Sequence, residues 1–278
     1  MGTTQRIRSL CLLGIGIAIF STCISTDAAV IATCDEAHLR EALNAGGSFS
    51  FACDSTILLG ATLLVTNNVI LNGSGHTITI DGSNAVRIFQ VNPGASLTLL
   101  NLSLVNGKYV GTNGSDGLPG RSGEPARGGA ILIDNGILHI TGCMFSNNVV
   151  LAGAGGNNSS LSSTGAGAGG NGEGGGIASI NGLITIANCL FASNQAIGAA
   201  GGYSLADSKS SPPGDSFGGA IFSSGGTVLL TNSVFLSNAS TGTVAGRNMF
   251  GTYGSAGNAW GGAIHSRDGV LNLEDCWF

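Results

Sequence analysis

Four short glycine motifs, each followed at one fixed distance by a phenylalanine, constrain this chain more than any other feature. They are Gly128-Gly129-Ala130-Ile131, Gly174-Gly175-Gly176-Ile177, Gly218-Gly219-Ala220-Ile221 and Gly261-Gly262-Ala263-Ile264. From each isoleucine, 14 residues lead to Phe145, Phe191, Phe235 and Phe278. From each phenylalanine to the next isoleucine the interval is 32, 30 and 29 residues. A unit of constant length alternating with one of variable length is how stacked coils with insertions are written in sequence.

Within the constant unit, the fifth residue after the isoleucine is always glycine: Gly136, Gly182, Gly226 and Gly269. Asn135, Asn181, Gly225 and Asp268 precede it, giving dipeptides that tolerate positive φ and mark a turn. Apolar residues seven and nine places after the isoleucine (Leu138 and Ile140 in the first unit) define the inward face of a short strand. Cys143, Cys189, Ser233 and Cys276 at twelve, with the phenylalanines at fourteen, form a second inward pair. The change of parity between nine and twelve calls for a bend. Asn148, Asn194 and Asn238 follow at seventeen. Strand, turn, strand, bend, strand and turn in about 21 residues describe one coil of a parallel β-helix. Like residues should then stack in columns, with the asparagines passing amide hydrogen bonds from coil to coil.

The rest of the chain fits that frame. Thr62–Gly82 and Val86–Gly107 carry alternating apolar runs and read as two further coils. Ala37, Leu39, Ala42 and Leu43 have helical spacing, so residues 30–60 read as a capping helix with the first coil. Cys34 and Cys53 flank this segment and should form a disulfide, while Cys143, Cys189 and Cys276 read as a column of small buried side chains. Coils then fill 61–278. Segments 149–173, 195–217 and 239–260 are rich in Gly, Ser, Ala and Asn and are expected to be flexible loops along one edge. Segment 108–127 has glycine at every third place (Gly111, Gly114, Gly117, Gly120, Gly123), too few triplets for a collagen helix, and is also read as a loop.

Residues 1–29 look like an export signal. Arg6 and Arg8 precede an apolar run, Leu10–Phe20, that is too short to span a bilayer, and cleavage is expected after Ala28 or Ala29. Charged residues make up 9% of the chain and no basic patch occurs, which argues against a nucleic-acid partner. Asp134 and Asp268 are near neighbours in the repeat frame, but Ile180 and Gly225 intervene, and Arg87, Arg127 and Arg267 are expected to stand apart. No catalytic residue, metal ligand or cofactor site is therefore assigned, and no transmembrane helix is expected in the mature chain.

The paired motifs, with Phe145-Ser146-Asn147-Asn148, Phe191-Ala192-Ser193-Asn194 and Phe235-Leu236-Ser237-Asn238 as the second element, resemble the repeats of the polymorphic outer-membrane protein family. The resemblance covers 128–278. It implies an all-β, right-handed parallel β-helix of pectate-lyase-like shape at a bacterial surface, in a family associated with adhesion. The barrel strands that anchor family members are not seen here, and the chain reads as ending inside its fourth repeat. The expected function is a secreted or cell-surface, non-enzymatic segment, adhesin-like or structural. A host surface, a glycan or a neighbouring envelope protein is the expected partner. The alternative is a carbohydrate-active β-helix of lyase or hydrolase type, which would need several acidic and basic side chains converging on a groove.

Overall fold

The computed structural model describes residues 28–159, 165–205, 210–251 and 253–278. The expected export signal lies almost wholly outside them. The described chain is a parallel β-helix: every pair of named strands runs parallel, and each strand pairs with its equivalents one coil before and after. Three long sheets form the walls. One has eight strands, from Ala29–Ile31 to Val270–Glu274. A second has six and contains the motif isoleucines, with Ile131, Ile177, Ile221 and Ile264 in register. The third also has six and contains Phe145, Phe191 and Phe235.

The columns follow from that register. Phe145, Phe191, Phe235 and Phe278 stack with ring centroids 4.8, 4.8 and 5.0 Å apart, the spacing of neighbouring strands. Leu138, Ile140, Ile184, Ile186, Val228 and Leu230 are buried in the same core. The motif glycines have two separate duties. Gly128, Gly174, Gly218 and Gly261 have φ of 57°, 66°, 60° and 58°, the left-handed conformation that glycine adopts without strain. At Gly129, Gly175 and Gly219 a Cβ would collide with the backbone of the next coil, so only glycine lets the coils close to strand spacing there.

At the N-terminal end, the helix Glu36–Ala45 lays Leu39, Ala42 and Leu43 on the open core. Ala37, expected on that face, is exposed, because the helix turns its first residues outward. Asp35 caps the helix by accepting from the His38 backbone N–H. The Cys34–Cys53 disulfide ties the cap to the first coil, with its Cα atoms 6.2 Å apart.

The insertions depart from expectation. Their described residues form not flexible loops but an ordered two-layer array. Each leaves the solenoid through a short strand (Lys108–Val110, Val149–Leu151, Gln195–Ile197, Ala239–Thr241) and returns through another (Ala126–Arg127, Gly172–Glu173, Ser216–Phe217, Ala259–Trp260). Between these roots the described chain is extended, and its hydrogen bonds recur every third residue. Gly111, Gly114 and Gly117 donate to the carbonyls of Leu151, Ala154 and Asn157 in the next coil. Ala152, Gly155 and Asn158 donate in turn to Ile197, Ala200 and Tyr203. A second set crosses between the layers: Gly153 to Glu124, Gly156 to Arg121, Gly170 to Gly153, Gly202 to Gly167. The third set of N–H groups meets side chains of the preceding coil, with Ala154, Asn157 and Tyr203 donating to Asn113, Asp116 and Asn157.

Three residues per turn and no internal hydrogen bonds are the properties of a polyproline-II helix, so every backbone donor is free to bond sideways. Bundling such helices needs glycine wherever two backbones meet. A Cβ on Gly114, Gly123, Gly155, Gly167 or Gly214 would stand closer than 3.0 Å to a neighbouring carbonyl. The insertions also bury more than their composition suggests. Ala126, Val150 and Ala196 form a small core at the root. Phe217 joins another with Ala178 and Phe222.

Candidate functional site

Two places gather chemically useful side chains. The first lies where the array rejoins the solenoid. The residue just before each glycine motif forms one rail, Arg127, Glu173, Phe217 and Trp260, by strand register. The residue just after each motif isoleucine forms the other, Leu132, Ala178, Phe222 and His265. Arg127 is ion-paired to Glu173 through Nε, and Arg267 Nη2 reaches back to the same carboxylate at 3.9 Å. On its way Arg267 crosses the faces of Phe217 and Phe222, with centroids 5.6 and 5.1 Å from its Cζ. The arginines are therefore not isolated, as the sequence suggested: two of them share a buried carboxylate. Arg87 sits alongside, its guanidinium donating to the carbonyls of Gly128 and Arg127 and stacking 4.0 Å from the Tyr109 ring. Burial lowers its pKa to about 10. His265 is held below its ordinary pKa, first by desolvation and then by Arg267. Phe217, Phe222, Ala178 and Glu173 are all buried, so this corner is filled by its own side chains. Its ionic groups pin the array to the wall.

The second place is an open groove of about 660 Å³ along the bend between the eight-stranded sheet and the phenylalanine sheet. One side is a column of turn residues, Asn101, Gly142, Asn188 and Asn232, with φ of 54°, 67°, 55° and 44°. The other side is an apolar shelf of Met144, Leu190 and Val234. The turn column lies at position eleven of the repeat, inside the parity change that called for a bend; its residues were not singled out as a site. Asn232 Nδ2 donates to Asn188 Oδ1 at 2.5 Å, and Asn101 Nδ2 to Ser74 Oγ at 2.6 Å. Gly142 has no side chain to continue this ladder, and the Asn101 amide oxygen fills the place its Cβ would take. The neighbouring thiols are inert: burial pushes Cys143 up to about 12 and Cys189 up to about 11.

The residues singled out in the sequence are structural. Asn148 Nδ2 donates to Asn194 Oδ1, and Asn194 Nδ2 to Asn238 Oδ1, each at 2.9 Å. Their carbonyl oxygens also accept the backbone N–H groups of Gly107, Asn148 and Asn194. The Cys/Ser column does the same work one turn earlier. Leu102 donates to Cys143 Sγ, Cys143 to Cys189 Sγ, and Cys189 to Ser233 Oγ. Cys143, Cys189 and Cys276 are free thiols. Asp134 is exposed and accepts from Asn135, and His139 faces outward. Among the described residues no group of three or more His, Cys, Asp or Glu could hold a metal ion. None of the described helices is long and apolar enough to cross a membrane.

Comparison with known proteins finds no matching family model, no matching curated protein and no matching solved structure.

Proposed function

We propose that this chain is a secreted or cell-surface bacterial β-helix repeat protein that acts without catalysis, as an adhesin-like or structural passenger segment. The ordered glycine array carries this reading. Six residues of extended chain reach roughly 19 Å beyond the solenoid wall at about 3.1 Å per residue. The tips so held include the exposed Leu118, Tyr203, Phe250 and Tyr253. Backbone donors bound to the next coil, the opposite layer or a side chain make the projection rigid, as a display surface requires. The motif resemblance to polymorphic outer-membrane proteins points the same way, as does the signal-like N-terminus.

The groove's own chemistry favours binding over turnover. Asp54 and Asp275 occupy the two ends of its turn column by register. Six coil steps separate them, roughly 29 Å at about 4.8 Å per step. Paired carboxylates that hydrolyse a glycosidic bond stand within about 10 Å of each other. The test is expression of the complete gene in a diderm bacterium, with protease and antibody access measured on intact cells and in the medium. Surface exposure or release is expected; retention in the cytoplasm would overturn the reading. Incubation with neutral and acidic polysaccharides should release no new reducing ends or unsaturated sugars.

A further inference from the structure

We infer that the groove along Asn101, Gly142, Asn188 and Asn232 binds one extended, uncharged polysaccharide strand lying parallel to the solenoid axis. This deepens the proposed adhesin-like reading and rests on it. The first argument is translational. The groove runs over five successive coils, from His76 to Asn232, roughly 19 Å at about 4.8 Å per coil. It offers an amide at three of those steps (Asn101, Asn188, Asn232) and an apolar side chain at three (Met144, Leu190, Val234). A ligand that fits such a rail must repeat along its own axis with a similar rise, as the sugars of an extended unbranched glycan do.

The second argument is chemical. Asn101, Asn188 and Asn232 are exposed, and each donates or accepts only one amide hydrogen bond within the ladder. The Asn101 and Asn232 oxygens and the Asn188 nitrogen keep capacity to spare. Alternating donors and acceptors suit hydroxyl groups, which do both. The shelf of Met144, Leu190 and Val234 suits the apolar faces of sugar rings. No Lys, Arg, Asp or Glu lines the groove between its ends; Asp54 and Asp275 stand one step beyond them, and Asp54 lies 3.4 Å from His76, the groove's ionisable group beside the buried thiols. A polyanionic glycan would find no counter-charge. A peptide would find no free strand edge, because the strands beneath are paired on both sides within their sheet.

The test uses the full chain and defined hexasaccharides, uncharged β-linked glucan, xylan and chitin fragments against oligogalacturonate, by calorimetry. At least one uncharged series should bind, tightening with length up to about four sugars as the groove fills. Asn188→Gly, which removes the amide and keeps the left-handed φ of 55° without strain, should weaken binding about tenfold, the loss of one well-made hydrogen bond. Met144→Glu should abolish it. Both positions face solvent at least in part, so thermal unfolding should shift little and serves as the folding control. No binding by any uncharged series, preference for oligogalacturonate, or binding indifferent to both substitutions would overturn the inference. Such a failure leaves the surface-display reading to its own test on intact cells. Cleavage of a bound oligosaccharide would sink the non-enzymatic reading while leaving the groove assignment in place.

Discussion

Gly214 shows why one residue type dominates the insertions. A methyl group there would sit inside the carbonyl of Gly170, and neither partner can yield because both are backbone held by hydrogen bonds. Gly165 has nothing among the described residues within 4 Å of its would-be Cβ and no left-handed φ. The two make a matched experiment. Gly214→Ala should cost about 2 kcal/mol or more through overpacking, whereas Gly165→Ala should be neutral or stabilising by about 0.5 kcal/mol. Urea denaturation of the two variants checks this, and equal costs would mean that the array is not close-packed. Cys189 makes a similar pair. Its sulfur accepts the Cys143 backbone N–H, and Ser233 does that work in the next coil with a hydroxyl. Cys189→Ser should therefore cost less than Cys189→Ala, which strands a buried donor at about 1–3 kcal/mol.

At the scale of elements, the capping helix depends on Glu36. Its carboxylate accepts the Gly60 N–H at 3.0 Å and pairs with Arg40, whose Nη1 bonds the Thr62 carbonyl. The Gly60 N–H, more than Arg40, holds the Glu36 pKa below its ordinary 4.5. A carboxylate with a depressed folded pKa stabilises the fold above its unfolded value and loses that gain as pH falls through the folded one. Glu36→Gln should thus lower Tm at pH 7, and the difference from the parent should shrink steadily below about pH 4.5. Thermal scans from neutral to acid pH would show it, and a difference independent of pH would exclude the ionised carboxylate as its source. The same elements show where sequence is informative. The capping residues, the disulfide and the phenylalanine and asparagine columns are legible because each repeats, or is spaced, within a short stretch. The ion pair of Arg127 with Glu173 is not. Its members occupy one repeat position but differ in charge, and four unlike residues in that place (Arg127, Glu173, Phe217, Trp260) look like noise until the coils are stacked. The groove was half legible: the parity change required a bend, but nothing in one coil shows that successive bends line an open channel.

For the whole molecule, the array is the part that reading along the chain missed, and the reason is physical. A polyproline-II segment makes no local hydrogen bonds, so its stability lies wholly in neighbours about 40 residues away. The glycine period was visible at Gly111 to Gly123, but the later insertions break it with alternate spacings such as Gly153, Gly155 and Gly156, where two contact faces fall on nearby residues. Low-complexity composition then imitates a flexible linker. Hydrogen exchange separates the two descriptions. In a flexible loop, the amides of Gly156, Gly170 and Gly202 would exchange at nearly the rate of an unstructured peptide. In the array, each donates to a carbonyl of the opposite layer (Arg121, Gly153 and Gly167), and those residues donate in turn across the layers to Ser115, Glu124 and Gly156. Opening one bond therefore means separating two layers. Protection at these three glycines should approach that of the neighbouring solenoid strands, and Gly214→Ala should lower it at Gly170 and Gly202 together while leaving Leu138 and Ile184 protected. Exchange at peptide rates, or a loss confined to the mutated site, would show that the layers do not act as one cooperative unit.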